Sequence, residues 1–435
     1  MAILRWHFLG WLCHPTASIY TVHMEDKEVK PAKPTKTTVT WAFRSRFRRN
    51  AYGWKGSKLA ISRIKEALSE IRVVERHDPV VAAEGAVLLL TILSPALSDI
   101  DSSSGALGSA VNGAIETLVP IIAQAPVDRT QRQKWLTKLY EAYQDDDIPY
   151  IEYLGEFWGE LCADPELAST WADEFLPTVK HVIAERAAGT YAFFKGTTPC
   201  LSALFHANRH DELLQLLDSQ PRPYFGDVKW GAKVMITRGQ IDEGLAYWRK
   251  LGGNYIHETE FAQFAEEALL AAGRRAEAFD QYALLANRAN SNISTFRAIH
   301  KKYPEIQANK LLSYLIAAGG SPGKWFATAK TLGQFEVAQQ LIWQSPCDPH
   351  TLIRAARDFE TKQPLFALQC ARGALHWIST GHGYEITGLD VHKAWQLAVS
   401  ISEATNQTGE TAAFIDRTVE SAQWMKPFMG KAAGK

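Results

Sequence analysis

A block of cationic and aromatic residues stands near the start of this 435-residue chain. Residues 29–65 contain eleven Lys/Arg and no acidic residue, and five aromatic residues are interleaved with the cations over positions 41–54. Cations neutralise phosphates and aromatic rings stack on bases, so this mixture is typical of a nucleic-acid or anion contact. The candidate contact residues are Arg44, Arg46, Arg48, Arg49, Lys55, Lys58, Trp41, Phe43, Phe47 and Trp54.

A second block, at residues 139–179, has eleven Asp/Glu and no Lys/Arg. It is a candidate acidic docking surface, with Asp145, Asp146, Asp147, Glu152, Glu156 and Glu160 as its members. Three explanations are open: docking of the basic segment within the same chain, docking of a basic protein partner, and plain solvation. The formal net charge of zero therefore hides an uneven distribution of charge.

The sequence contains no recognisable catalytic or cofactor motif. No Gly-x-Ser-x-Gly, His-Glu-x-x-His or Gly-x-Gly-x-x-Gly occurs in a suitable context. The five cysteines are far apart and form no Cys-x-x-Cys pair, which argues against a disulfide framework or a zinc ribbon. The sequence predicts a non-enzymatic protein with no catalytic residue, cofactor or metal site, while an unrecognised activity stays open.

The elements that would position these residues show a repeat in the C-terminal half. Helical patterns are interrupted by turns at Asn208, Gly239, Gly273, Tyr303, Gly333 and Gln363, at steps of 31, 34, 30, 30 and 30 residues. Five positions after each turn stand Leu213, Gly244, Ala278, Ala308, Ala338 and Leu368, of which four are small. A period of this length is typical of stacked helix hairpins, and small residues let two helices cross closely.

Two segments carry a family resemblance. ArgGlyGlnIleAspGluGlyLeu at 238–245 and AlaGlyArgArgAlaGluAlaPhe at 272–279 resemble tetratricopeptide-like repeats, and the segments 43–54 and 101–108 are similar to stretches of uncharacterised bacterial helical-repeat proteins. The resemblance implies an all-α, right-handed helical-hairpin solenoid of TPR-like or HEAT-like type. Such an array presents a groove to a protein or peptide ligand and implies no chemical activity.

The predicted organisation has four parts. Residues 1–40 form a disordered extension in which Met24 is a second candidate start, and residues 41–197 form an irregular helical array that contains the basic aromatic segment 41–65. Residues 198–425 form TPR-like repeats, and residues 426–435 a disordered tail. Within the irregular array the patterns predict an amphipathic helix at 59–71, a helix beginning at Pro79, serine caps at 102–104 for a third helix, and one helix over 149–162.

The apolar stretch 79–98 is long enough to span a bilayer, but acidic residues flank it at Asp78, Asp99 and Asp101. We interpret it as a helix buried by its neighbours, and we expect a cytoplasmic protein without a membrane partner. The first hypothesis for function is a helical-repeat scaffold that mediates protein–protein interaction. The second is a nucleic-acid-binding protein that uses the basic aromatic segment 41–65.

Overall fold

The computed structural model describes residues 39–220, 224–253 and 257–430. The predicted extension 1–40 lies almost wholly outside these ranges, as does Met24. Across the described ranges the structure contains helices, turns and irregular segments and no β-strand, which confirms the all-α prediction. Helices that follow one another in the chain pack on one another in a solenoid-like arrangement.

The chain divides into two compact units, Met1–Gly273 and Arg274–Lys435. The boundary predicted at residue 197/198 therefore falls inside the first unit. Helices of the first unit are α1 Ser57–Glu75, α2 Pro79–Leu97, α3 Ala106–Gln124, α4 Arg129–Gln144, α5 Trp158–Cys162, α6 Pro165–Ala187, α7 Thr197–His206, α8 His210–Asp218, α9 Phe225–Thr237, α10 Ile241–Gly252 and α11 Glu258–Ala271. Short 3-10 helices cover Ala42–Arg46 and Glu152–Phe157.

The second unit continues the pattern of helix pairs. Its helices are α12 Arg275–Ala286, α13 Asn292–Lys302, α14 Ala308–Ala318, α15 Phe326–Thr331, α16 Phe335–Gln344, α17 Pro349–Phe359, α18 Pro364–Ser379, α19 Gly388–Ala404 and α20 Thr408–Ser421, with 3-10 helices at Pro322–Trp325 and Gln423–Phe428. The last 3-10 helix overlaps the first residues of the predicted tail 426–435. Residues 431–435 lie outside the described ranges.

Four of the six predicted turns place a residue in the left-handed region. The φ angles are +58° at Asn208, +82° at Gly239, +74° at Gly273 and +73° at Gly333. Glycine and asparagine tolerate this conformation, which ends one helix and redirects the chain into the next. The turns at Tyr303 and Gln363 instead use negative φ angles, of −122° and −143°, so the six turns are not equivalent.

The residues five positions after the turns are mostly buried. Gly244, Ala278 and Ala338 are buried, as are Leu213 and Leu368, whereas Ala308 is half-buried. A Cβ atom added at Gly244 would lie 2.9 Å from the carbonyl oxygen of Ala232 in α9. Glycine at this position therefore permits the close packing of α10 on α9.

The N-terminal array departs from the predictions in two places. The N-cap of α3 is Gly105, with a φ of +69° and no side chain to cap the helix, and among the predicted serine caps only the Ser104 hydroxyl accepts from a helical amide, that of Ala106 at 3.5 Å. The segment predicted as one helix over 149–162 is a 3-10 helix followed by the short α5. By contrast, the predicted helix start at Pro79 is confirmed, because α2 begins there. The carboxylate of the N-cap residue Asp78 accepts a hydrogen bond from the Val81 amide at 3.0 Å.

A buried arginine joins three helices of the first unit. Arg132 of α4 is 6% exposed, and its guanidinium donates to the carbonyl oxygens of Ile122 at 2.7 Å, Ala125 at 2.8 Å and Leu161 at 3.3 Å. These carbonyls lie at the C-terminal ends of α3 and α5, where helical partners are missing. The carbonyls of Ile122 and Ala125 also accept from the backbone amides of Ala125 and Val127, so Arg132 adds a charged donor to a buried group of carbonyls.

Two helices in the described ranges, α2 and α3, are long and apolar enough to cross a membrane by length and composition. In the apolar windows of these helices, 61% and 44% of the residues are buried inside the protein. Buried core helices of soluble proteins meet the same criteria.

Candidate functional sites

The basic segment is docked onto α1 and α2. The backbone amides of Ala42 and Phe43 donate to the carboxylate of Glu70, and the Trp41 ring lies where a Cβ atom on Gly85 would stand. Phe43 and Phe47 are buried at 0% and 2% exposure. Because their faces contact the core, these two rings are not available for base stacking in this structure.

Other members of the segment are exposed. Arg46 pairs with Glu66 of α1, whereas Arg44, Arg48, Arg49, Lys55 and Lys58 are exposed and Trp54 is 68% exposed. The observed ion pair thus joins the segment to its neighbouring helix. Ion pairs to the acidic block come from elsewhere, namely from Arg129, Arg209 and Lys229.

The six members of the predicted acidic surface occupy different environments. Asp145, Asp147 and Glu152 are exposed, while Glu156 and Glu160 are half-buried. Asp146 is 2% exposed and accepts hydrogen bonds from the Ser94 hydroxyl and from the Tyr150 and Ile151 amides. Burial raises the pKa of Asp146 despite these bonds. Asp146 is therefore a structural residue and does not contribute to a docking surface.

Glu156 belongs to a cleft of about 250 Å³ in the first unit. Its walls come from α3, the 3-10 helix Glu152–Phe157, α9, α10 and α11. The lining residues are Ser109, Asn112, Glu116, Tyr153, Glu156, Lys229, Lys233, Trp248, Glu260, Gln263, Phe264 and Glu267. Of these, only Glu156 was among the residues singled out from the sequence.

Close packing of the 3-10 helix on α7 positions Glu156. Its carbonyl oxygen accepts from the Ser202 hydroxyl at 3.0 Å, and the same hydroxyl accepts from the Gly159 amide at 3.0 Å. A Cβ on Gly159 would lie 2.4 Å from the carbonyl oxygen of Ser202, so only glycine allows this approach. The side chain of Glu156 is thereby directed to Lys229, whose Nζ is 2.8 Å from Oε1.

Two lysines one helical turn apart on α9 enter the cleft. Nζ of Lys229 lies between Glu156 and Glu260, at 2.8 Å and 3.2 Å. Burial disfavours the charged form of Lys229, but these two carboxylates outweigh burial and raise its pKa. Lys229 is therefore a fixed cation whose charge is matched by its neighbours.

Lys233 is in a different electrostatic position. Burial lowers its pKa to about 7, the carboxylate of Glu156 opposes this change, and the cation of Lys229 adds to it. Nζ of Lys233 lies 3.8 Å from the centroid of the Trp230 ring, whose face favours an ammonium. Lys233 therefore loses its proton more readily than an exposed lysine.

A carboxyl and a phenol line the same cleft. The Tyr153 hydroxyl donates to Glu116 Oε1 at 3.4 Å. Burial raises the pKa of Glu116, with the Tyr153 hydrogen bond opposing, and burial together with nearby glutamates raises the pKa of Tyr153. The cleft therefore combines a lysine that can be neutral with a carboxyl that retains its proton more readily than usual. Such shifts in one cavity are typical of sites that bind or transform a ligand.

A second candidate site is a groove of about 390 Å³ between α17 and α19 in the second unit. It is lined by His350, Ile353, Arg354 and Arg357 of α17 and by Asp390, Lys393, Gln396 and Leu397 of α19. On each helix these residues recur at helical spacing, so each set occupies one face. The sequence repeat predicted a groove but identified none of these residues.

One carboxylate stands among the cations of this groove. Asp390 accepts from the Thr387 amide at 3.0 Å and the Thr387 hydroxyl at 2.7 Å, and lies 3.4 Å from His350 Nε2. Burial opposes ionisation of Asp390, but the Thr387 hydrogen bonds and His350 hold its pKa below the usual range. Arg354 and Arg357 are 57% and 65% exposed at the side chain. Arg354 lies 3.9 Å from Asp348 and Arg357 lies 2.8 Å from Asp358, two carboxylates outside the lining, so the excess of cations over carboxylates holds for the lining residues themselves.

The four cysteines within the described ranges, Cys162, Cys200, Cys347 and Cys370, are free and buried. Burial raises the pKa of Cys162 and of Cys200 to about 12, so neither is a thiolate at neutral pH. Across the same ranges no group of three or more His, Cys, Asp or Glu residues is placed to hold a metal ion.

The described residues form an all-α helical array that contains a mixed-charge cleft in the first unit and a basic groove in the second. No family model, curated protein or solved structure matches the chain.

Proposed function

We propose that this protein is a non-enzymatic helical-repeat scaffold, tetratricopeptide-like in its C-terminal half, that acts in the cytoplasm. Its groove between α17 and α19 binds an acidic segment of a protein partner. The observation that carries the proposal is the excess of exposed cations over carboxylates in that groove. A peptide laid along two adjacent helices is a recurring mode of recognition for helical surfaces.

The chemistry of the lining favours an acidic and partly apolar peptide. The lining holds three cations, Arg354, Arg357 and Lys393, against the single carboxylate of Asp390, which already accepts hydrogen bonds from Thr387. Arg354 and Arg357 also pair with Asp348 and Asp358 at exposed positions, so a partner's carboxylates would compete with these surface pairs. Ile353 and Leu397 add apolar surface. Carboxylates of a partner would pair with the cations, and its apolar side chains would cover the two aliphatic residues.

The test is a fluorescence-anisotropy titration with a labelled peptide of about twelve residues that alternates Glu and Leu. We expect saturable binding that weakens as salt is raised. The double variant Arg354→Glu with Lys393→Glu should lose at least about tenfold in affinity, equivalent to roughly 1.4 kcal/mol. These substitutions reverse charges at exposed positions and should leave the fold intact.

Arg417→Glu is the matched control, because Arg417 is exposed on α20 and does not line the groove. It should bind the acidic peptide within about twofold of the wild type. A peptide with Lys in place of Glu should not bind. Equal loss in the control and the groove variant would show that overall charge governs binding, and the groove proposal would then fail.

A second function, nucleic-acid binding, is favoured by one observation: Trp54 is 68% exposed beside the exposed cations of the basic segment. An exposed ring among cations can stack on a base while the cations contact phosphates. If about five phosphates are neutralised, log affinity should fall with log salt at a slope of roughly −3.5 on a single strand or −4.5 on a duplex. Trp54→Ala should weaken single-strand binding. Trp424→Ala is the control and should not weaken it, because Trp424 is also exposed, at 50%, but lies outside the basic segment.

A further inference from the structure

We propose that His350 and Asp390 set the affinity of the groove between α17 and α19 for its acidic partner, which binds more tightly when His350 is protonated. This inference rests on the proposed scaffold function and adds the regulation of that site. Both residues line the groove, and their side chains carry opposite charges only while the imidazole is protonated.

The start of α19 fixes the Asp390 carboxylate. Its Oδ2 atom accepts from the Thr387 amide at 3.0 Å and from the Thr387 hydroxyl at 2.7 Å, and the two residues form the capping box of the helix. The other oxygen, Oδ1, lies 3.4 Å from Nε2 of His350. These hydrogen bonds hold the pKa of Asp390 below its usual range, so Asp390 stays negative over the pH range in which an imidazole titrates.

His350 lies at the same end of the groove as Asp390. α17 begins at Pro349 and α19 begins at Gly388, and the contact between His350 and Asp390 joins the first turns of these two helices. The side chains of His350 and Asp390 are 34% and 16% exposed. The imidazole therefore exchanges protons with solvent, while the pair is shielded enough for its charges to interact more strongly than in bulk water.

Charged and titratable groups surround His350 on several elements. In the groove lining they are Arg354 and Arg357 of α17 and Asp390 and Lys393 of α19. Asp348, at the N-cap of α17, accepts from the Thr351 amide and hydroxyl. The loop before α19 lies against Pro349 at Gly383 and carries the exposed His382 and Glu385.

α18 also packs on α17 and carries two groups of this kind. Arg372 donates to the Thr411 hydroxyl of α20 at 2.6 Å, and the His376 ring contacts the Trp343 ring of α16. α18 therefore directs these groups toward α20 and α16, and Asp390 is the carboxylate that faces His350 within the lining.

Protonation of His350 changes the balance of charge in the lining. At about pH 8 the imidazole is neutral, and the carboxylate of Asp390 repels the carboxylates of an acidic peptide. At about pH 5.5 the imidazolium neutralises Asp390, so this repulsion falls and the lining gains one positive charge. Because the peptide binds the protonated form more tightly, binding and protonation favour each other.

The test repeats the anisotropy titration with the labelled Glu–Leu peptide between about pH 5.5 and pH 8, where most glutamates stay ionised. The wild type should bind at least about threefold more tightly at pH 5.5 than at pH 8, as suits one partly exposed charge. His350→Gln should match the wild type at pH 8 and change less than about 1.5-fold with pH. His350→Arg, which is always charged, should bind at least about threefold more tightly than the wild type at pH 8.

His382→Gln is the matched control, because His382 is exposed in the neighbouring loop but does not line the groove. It should keep the pH dependence of the wild type. If His350→Gln keeps it too, or if His350→Arg binds no more tightly than the wild type at pH 8, the inference is wrong. Wild-type binding that is equal at every pH would overturn the inference and leave the scaffold proposal standing, whereas no binding at any pH would overturn both.

Discussion

At the scale of single residues, the charged groups of α9 show how this array holds ionisable side chains inside. Asp227, Lys229 and Lys233 occupy a helix whose other buried residues include Val228, Trp230 and Val234. A buried ionisable group keeps its charge where groups of opposite charge surround it, as for Lys229. Otherwise the pKa of the group shifts in the direction that favours its neutral form. Burial raises the pKa of Asp227 to about 7 and lowers the pKa of Lys233 to about 7.

The Asp227 pKa leads to a prediction on stability. Asp227 is 4% exposed, and burial followed by Glu156 raises its pKa from 3.8 to about 7, against Arg186 and Lys229. Between these pH values the folded state binds more protons than the unfolded state, so this carboxyl lowers stability as pH rises. Asp227→Asn should therefore be more stable than the wild type above pH 7, by up to about 4 kcal/mol, and the gain should shrink toward pH 4.

Urea denaturation between pH 4 and pH 8 measures this difference. Asp211→Asn is the control, because Asp211 is 84% exposed at the side chain and pairs with Arg238 on the surface. Its effect should stay within about 0.5 kcal/mol at every pH. If the Asp227→Asn variant is less stable than the wild type at pH 8, the prediction is wrong. Arg186 and Lys229 then stabilise an ionised Asp227 in the folded protein.

At the scale of helices and turns, glycine has two separate uses in the α9–α10 hairpin. Gly239 adopts a φ of +82° in open space and redirects the chain. Gly244 has an ordinary helical conformation, but an added Cβ would be 2.9 Å from the Ala232 carbonyl oxygen and 3.0 Å from Cγ1 of Ile236. Glycine is required at position 239 because of the positive φ angle, and at position 244 because there is no room for a side chain.

The second use predicts that Gly244→Ala destabilises the protein by about 1–3 kcal/mol, since α10 must move away from α9. Gly108→Ala is the matched control: Gly108 is also helical, in α3, and nothing lies within 4 Å of its added Cβ. There the better helix propensity of alanine should raise stability by roughly 0.5 kcal/mol. Thermal or urea denaturation measures the change in stability, which should be negative for Gly244→Ala and positive for Gly108→Ala. A Gly244→Ala variant more stable than the wild type would contradict the close packing of α10 on α9.

Helix pairs could be predicted from the sequence because their signals are local. Asn208, Gly239 and Gly333 mark turns by their own conformational preference, and Gly244 marks a crossing by its distance from a turn. The cleft could not be predicted in this way, because Glu116 and Lys233 are far apart in the chain and meet only through packing. The sequence does contain one local signal. Lys229 and Lys233 are four residues apart in a helix whose only other charged residue is Asp227, which places two cations on one helix face.

In the basic segment the sequence predicted contact residues that the structure places in the core. Its alternation of cations and rings indicated a binding strip, yet Phe43 and Phe47 are core residues. Composition does not specify which side of the chain faces solvent, so the pattern of cations and rings was ambiguous. The exposed residues Trp54 and Arg48 remain available for contact with a partner.

At the scale of the whole molecule, stability in a helical array is approximately a sum of terms between neighbouring elements. The contacts of this chain cluster within two units, Met1–Gly273 and Arg274–Lys435. The cleft with Lys233 belongs to the first unit and the basic groove with Arg354 to the second. A local loss of stability near one site should therefore leave the opening of helices around the other site unchanged.

Arg132→Lys tests this independence. Arg132 reaches the carbonyls of Ile122, Ala125 and Leu161 through two guanidinium nitrogens, whereas lysine is shorter and has a single nitrogen, so at least one charge-assisted hydrogen bond is lost at a cost of about 1–3 kcal/mol. Hydrogen exchange followed by mass spectrometry should then show faster exchange in α3 to α5 and unchanged exchange in α17 to α19. Arg129→Lys, at an exposed arginine whose partner is Glu166, should change neither region. Equal acceleration in both regions by Arg132→Lys would mean that the chain unfolds as one cooperative body, and mutations at the cleft would then also alter peptide binding at the groove.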